Sequence, residues 1–407
     1  MSLTARFRRD ERGGIAIMFA LILLPLILAI GVAIDYSRAA AARTQLHMAL
    51  DAAALTAARE AASTPDDKIL KARALAILKA NFKVAGDDMD PVFDLKRTDK
   101  KIFVTAEARV PAGFMSLFSQ DSISVSAQTE ATWGLKKIEL ALVLDNTGSM
   151  SSRNKMTELK KASKDLLNIL KTASPEKGVI RVSVVPFATQ VRMDTAFVNK
   201  KAIIEFNPAG MNPGDKVNEY SWAGCLTDRD KSYDVDDTAP DPVKGRATLY
   251  PAMRCVTNIA RVQPLTDDFA KLETVIDSMV ATGNTNITIG VAHGLATLSP
   301  HQPYTGAAAF GTEDLEKFMI VLTDGDNTQN RFGDSGSVID DRTRRACNSV
   351  KNQKVRLYTI RVIEGDAGLL RSCATSSEMF YDVKSASELS PVFQKIAQEI
   401  ASLRLTQ

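Results

Sequence analysis

From Gly13 to Ile34 the chain reads GGIAIMFALILLPLILAIGVAI, without a charged residue. About 20 apolar residues cross a hydrocarbon core as one helix, and a single proline, here Pro25, is tolerated in such a helix. No other segment constrains the chain as strongly. Arg6, Arg8, Arg9 and Arg12 precede the run, whereas only Arg38 and Arg43 follow closely. That asymmetry predicts a cytoplasmic tail over residues 1–12, a span over 13–34 and the remaining chain outside. A cleaved secretory signal is the competing reading, with Gly31-Val32-Ala33 as its small-residue site. Signal cores are about 7–15 residues long, shorter than this run, which favours a retained anchor. Either reading exports the bulk of the chain. A near-neutral mean hydropathy excludes a multi-span transporter, and a net charge of +3 offers no electrostatic case for nucleic acid.

Beyond the span, Asp35 to Ser63 is rich in alanine, with Leu46, Met48, Leu50 and Leu55 near the helical period. The spacing predicts that the membrane helix continues outward until Thr64-Pro65-Asp66-Asp67 breaks it before a second helix through Phe82. Lys101–Pro111 and Ser122–Trp133 alternate apolar and polar residues, as half-buried strands do. Together these predict a small α+β region over residues 35–135.

From Lys136 strands and helices alternate. Ile138–Leu144, Ile180–Phe187, Phe318–Leu322 and Val355–Val362 read as strands covered on both faces. Lys155–Thr172, Asp268–Met279, Thr288–Leu298 and Glu388–Leu403 read as helices. This order predicts an α/β fold with a doubly wound, mostly parallel sheet over residues 136–407. Between about 190 and 264 lies a long insertion without clear periodicity. A structureless loop of that length is unusual, so the insertion is expected to form its own stapled subregion. The four cysteines, Cys225, Cys255, Cys347 and Cys373, include no C-x-x-C pair, which argues against a zinc ribbon or thioredoxin chemistry. Four thiols allow three connectivities, and proximity along the chain favours Cys225 with Cys255 and Cys347 with Cys373. An exported chain suits two bridges better than four free thiols.

Ligands of open α/β sheets bind at the carboxyl ends of the strands. There this chain places Asp145-Asn146-Thr147-Gly148-Ser149 after one strand, Thr323-Asp324-Gly325-Asp326 after another, and Gly283-Asn284-Thr285-Asn286 before a helix. Carboxylate and hydroxyl oxygens are hard donors that suit Mg²⁺ or Ca²⁺. A single D-x-T-x-S string also serves as a helix cap with an Asx-turn; three such loops at element ends carry more weight.

DNTGS, GNTNITIG and VLTDGD resemble the metal-ion-dependent adhesion site of von Willebrand factor type A domains. The resemblance implies that Thr147 and Ser149 ligate a metal through their hydroxyls, and Thr285 directly or through water. Asp145 and Asp324 would hold coordinating waters, and the metal would be Mg²⁺ (or Ca²⁺ or Mn²⁺). An open position would then take a carboxylate from a protein partner. The arginine-rich start with RGGIAIMFAL, the stretch IDYSRAAAARTQLHMALDAAALTAAR, WAGCLTDRDKSYDVDDTAP and SEMFYDVKSASELSPVFQKIAQEIASLRL also resemble the TadG-like, TadE/G-type pilus-assembly proteins of bacteria. That resemblance implies an inner-membrane, single-pass protein of a tight-adherence (Flp-type) pilus system, with pilus components among its partners. A member of that family would act there in assembly, anchoring or adhesion. Related pseudopilins carry a glutamate five residues into the mature helix, a place held here by Phe19, which argues against prepilin-type processing.

The acidic run from Asp228 to Asp237 fails as an EF-hand, since Tyr233 and Ala239 stand where glycine and glutamate are required. His47, His293 and His301 are scattered, and no G-x-S-x-G elbow, P-loop or G-x-G-x-x-G occurs. The expectation is therefore a binding protein and not an enzyme, with a chaperone or insertase-like factor for another exported complex as the alternative. A topology reporter fused after Gln407 should be active only outside the cytoplasm; activity confined to the cytoplasm would overturn the charge argument.

Overall fold

The computed structural model describes residues 14–61, 64–83, 90–98, 101–132, 136–174, 176–196, 200–209, 211–256 and 258–403. Gly13, the four leading arginines, Ser63, Trp133 and Leu135 lie outside the described residues. The chain divides into two compact units, residues 1–134 and 135–406.

In the first unit one helix, α1 (Gly14–Ala61), runs through the apolar segment and on into the alanine-rich stretch. Among the described residues it is the one helix long and apolar enough to cross a bilayer. Alanine costs least of all residues in a helix, and after Pro25 neither proline nor a charge cluster interrupts it. Its two halves face different surroundings. Met18, Phe19, Leu21, Ile22, Leu26, Ile27 and Ile30 are exposed, whereas Ala39, Ala42, Leu46, Ala49, Leu50, Ala53 and Ala57 form a buried stripe. Met48 and Leu55, expected in that stripe, point outward at 61% and 48% exposure. After α1, the Asp66 side chain caps α2 (Asp67–Asn81) by accepting from the Lys68 N–H at 2.8 Å.

The buried stripe covers an antiparallel sheet of β1 (Val92–Arg97), β2 (Lys101–Pro111) and β3 (Ser122–Thr132), in that order. Strict alternation along β2 turns Ile102, Val104, Ala106, Ala108 and Val110 inward. The small alanines let helix and sheet approach closely, so the alanine face is used inside the unit. Sequence periodicity missed β1, where only Phe93 and Leu95 are buried. Its last residue closes the unit: the Arg97 guanidinium donates to the carbonyls of Ala61, Thr64 and Pro65 at 2.8, 2.9 and 2.8 Å. Those carbonyls sit at and just past the end of α1, where helix C=O groups lack partners.

The second unit holds a six-stranded sheet. Its strands are β4 (Lys137–Asp145), β5 (Ile180–Phe187), β6 (Gln263–Thr266), β7 (Leu315–Thr323), β8 (Arg356–Val362) and β9 (Phe380–Val383). They lie in the order β6-β5-β4-β7-β8-β9, all parallel except the edge strand β6. This is the doubly wound order 3-2-1-4-5-6; the sequence predicts the doubly wound, mostly parallel sheet but neither this order nor the edge strands β6 and β9. Alternate β4 residues feed two cores. Helices α3 (Lys155–Thr172), α4 (Phe269–Ser278) and α8 (Leu389–Leu403) share one, and α5 (Ile287–Leu298), α6 (Gly336–Asn352) and α7 (Ala367–Cys373) the other. Sequence reading missed α6 because Arg342 and Thr343 fill its buried stripe alongside Ile339, Ala346 and Val350, masking the apolar period.

The insertion supplies Val191, Ile204, Trp222, Leu226 and Tyr250 to the same core as α5 and α6. It is knit by two-residue strand pairs and by Cys225–Cys255. Cys347–Cys373 joins α6 to α7. Closing a loop of that size is worth about 3 kcal/mol, so Cys347→Ser with Cys373→Ser should lose roughly that much in denaturant unfolding. An unchanged midpoint would show that the bridge constrains nothing.

Candidate functional site at the sheet switch point

The parallel register pairs Leu144 of β4 with Leu322 of β7, so Asp145 and Thr323-Asp324 emerge side by side at the carboxyl edge. After β4 the chain crosses to α3 on one face, and after β7 to α6 on the other. The diverging crossovers leave a crevice where doubly wound folds bind their ligands.

All five residues singled out from the sequence meet there. Asp145 is fully buried and accepts the Thr147 N–H on Oδ1 at 2.8 Å, the Asx-turn that fits a D-x-T string. Its Oδ2 accepts the Thr323 hydroxyl at 2.6 Å. The Thr147 and Ser149 hydroxyls are 3.0 Å apart, and Ser149 donates to Asp324 Oδ1 at 2.5 Å. The third loop is tied in through its backbone: Gly148 N–H donates to Gly283 O at 2.9 Å, and Thr282 N–H to Asn146 O at 2.8 Å. Thr285 completes the group. A Cβ placed on Gly325 would lie 3.4 Å from Thr285 Oγ1 and 3.6 Å from Ser149 Oγ, so both hydroxyls border the space that glycine leaves open. Ser149 is exposed while Thr147 and Thr285 are buried, which sets the mouth of the crevice.

Several partners have no signal in the sequence. Lys155, on the first turn of α3, is fully buried and places Nζ 2.5 Å from Asp324 Oδ2 and 3.4 Å from Glu364 Oε2. A cation at a helix N-terminus opposes the helix dipole, the one sequence-level hint that this lysine needs a carboxylate. Asp324 Oδ2 is otherwise without a hydrogen bond. The acidic run of the insertion is structural: buried Asp228 accepts from Asn286 Nδ2 at 2.9 and 3.1 Å and from the Arg331 N–H at 3.1 Å. Asp234 pairs with the buried Arg342 of α6. The insertion thereby holds Asn286, the residue after Thr285. His293 packs against Tyr250 and Tyr304, 3.0 Å from the Tyr304 hydroxyl, and burial lowers its pKa to about 3.

Electrostatically the crevice sets one buried cation, Lys155, against the carboxylates of Asp145 and Asp324. Burial, then the neighbouring Asp324 carboxylate, pushes Asp145 up to about 6. Among the described residues no three His, Cys, Asp or Glu side chains group into a metal cage. Any cation here therefore depends on the hydroxyls. The hydroxyls of Thr147, Ser149 and Thr285 beside the carboxylates of Asp145 and Asp324 form a set of hard oxygen donors that fits a hard divalent ion.

Residues 13–60 match the family model described as putative Flp pilus-assembly TadE/G-like. No curated protein matches the chain. Among solved structures, the pilus adhesin SpaC from Lactobacillus rhamnosus GG is 13% identical with a TM-score of 0.40, the match covering 78% of this chain and 35% of that one. The vWF domain of the type V pili tip protein Mfa5 from Porphyromonas gingivalis is 10% identical at TM-score 0.41, covering 67% and 98%. Proximal thread matrix protein 1 from the mussel byssus, with a zinc-occupied MIDAS motif, is 15% identical at TM-score 0.38, covering 66% and 48%. The chain spans about a third of the adhesin's length.

Because the Asp145 value lies above the ordinary carboxyl range near 4, its ionisation opposes folding. The favourable protonated form is fully present below about 4 and is lost as pH rises through about 6. In chelator, unfolding free energy should fall across that interval, and Asp145→Asn should flatten the fall. An identical pH slope in both proteins would contradict the assignment.

Proposed function

We propose that this chain is a membrane-anchored, extracytoplasmic protein of a tight-adherence pilus system. It acts in pilus assembly, anchoring or adhesion through a metal-dependent protein-binding site on its larger unit. The observation that carries the reading is the convergence of Asp145, Thr147, Ser149, Thr285 and Asp324 at the switch point. It occurs in a chain whose residues 13–60 are of pilus-assembly type. The run of apolar residues through that matched segment, and the arginines before it, support an anchor with its N-terminus in the cytoplasm.

Thr147 and Ser149 would hold the ion through their hydroxyls, Thr285 through its own or through water, with Asp145 and Asp324 behind them. A bound Mg²⁺, Ca²⁺ or Mn²⁺ supplies positive charge that a carboxylate on a partner protein can neutralise. This chain's residues prepare that encounter. Ser149 opens the site to solvent, Thr323 and the Thr147 N–H orient Asp145, and Lys155 holds Asp324 in place through their ion pair. Partner binding, not catalysis, is the proposed outcome.

Asp145→Ala and Thr147→Ala should abolish Mg²⁺ binding by calorimetry while cooperative unfolding persists; undiminished heats in both variants would remove the metal site. In a pull-down from membranes, chelator should release the pilus component that the full chain retains, and retention indifferent to chelator would remove the metal from the interaction.

A further inference from the structure

The hairpin β2–β3 turns through residues 112–121, which include one short helical turn, Met115–Phe118. Three successive N–H groups there, those of Gly113, Phe114 and Met115, donate to the carboxylate of Asp35 at 3.0, 2.7 and 2.8 Å. Asp35 is the first charged residue after the apolar run and is 2% exposed. The turn is thus fastened to α1 at the level where its long apolar segment ends.

One helical turn earlier stands Gly31. A Cβ added there would fall 2.4 Å from the Phe114 ring, so only glycine lets the ring lie against the helix backbone. A turn rises about 5.4 Å. The hairpin tip therefore reaches back past Ile34, alongside the apolar segment itself.

Its side chains do not suit water. Phe114, Leu117 and Phe118 are 38%, 71% and 60% exposed, on a hairpin whose first strand, β2, turns only buried apolar side chains inward. Clustered exposed apolar residues mark an interaction surface. Through the Phe114–Gly31 contact this cluster adjoins the exposed apolar belt of α1 that includes Ile27, Ile30 and Ile34. Whatever medium covers the belt meets the tip at the same level, since Asp35 fixes the height of one relative to the other.

Resting on the reading of α1 as a membrane span, we infer that residues 113–119 form a second membrane contact. Phe114, Leu117 and Phe118 enter the interfacial layer of the bilayer that α1 crosses, as apolar side chains of interfacial segments do. Lipid, and not a protein groove, is the occupant, because the cluster's depth is set by the span. Two neighbouring attachments restrain the first unit from rocking about a single helix.

The test uses the full chain in vesicles of phosphatidylethanolamine and phosphatidylglycerol, with a fluorophore on Leu117→Cys or, separately, on Met18→Cys. Both labels should be quenched by nitroxide carried on lipid chains and shielded from aqueous iodide. Adding Asp35→Asn should restore iodide quenching at position 117 and leave position 18 unchanged. Lipid quenching at 18 with iodide quenching at 117 overturns this inference alone, as does shielding at 117 that depends on protein concentration and not on lipid-borne nitroxide. Iodide quenching at both positions overturns the anchor reading and this inference with it.

Discussion

Two carboxylates buried side by side at the carboxyl edge of a parallel sheet constrain everything around them in the larger unit. Register brings Asp145 and Asp324 together, because Asp145 follows the Leu144–Leu322 pair by one residue and Asp324 by two. Like charges in a low-dielectric setting repel strongly, and each buried ion carries a desolvation penalty of several kcal/mol. The surrounding residues read as responses to that cost. The Thr147 N–H and the Thr323 hydroxyl serve Asp145; Ser149 and Lys155 serve Asp324. One cation against two carboxylates leaves the cluster short of positive charge. The proposed divalent ion, resting on the three hydroxyls, would supply it.

The insertion gains a role from the same constraint. Its acidic residues looked like a separate calcium loop only in composition. Asp228 instead fixes Asn286, which caps α5 and follows Thr285, and Asp234 docks on Arg342 of α6. The disulfide Cys225–Cys255 holds that subregion closed. Its acidic charge thus acts as bracing for a loop of the site. In the smaller unit one residue marks an equivalent boundary: Asp35 separates the stretch of α1 left apolar and exposed from the stretch packed by alanine on β1–β3.

Much of this was legible in the sequence for identifiable reasons. Strands buried on both faces leave mostly apolar runs such as Ile138–Leu144, broken only by Glu139, and β2 alternates without exception, so both were readable from pattern alone. The convergence of the five candidate residues was readable because short loops at strand ends must carry their donors close together in sequence. What escaped depended on distant pairing. Lys155 belongs to the site only through Asp324, far along the chain, and α6 hides its stripe behind buried polar residues. The tip of β2–β3 looks like an ordinary turn until Asp35 and Gly31 are placed beside it.

The oxygen cluster and its missing charge are tested most directly by diffraction from crystals grown with Mn²⁺, with data collected at the manganese absorption edge. An anomalous peak bordered by the hydroxyls of Thr147, Ser149 and Thr285, at the switch point between β4 and β7, is the predicted result. No peak there at saturating Mn²⁺, with Lys155 still alone beside Asp324, would contradict it and leave the cluster a purely structural ion-pair network.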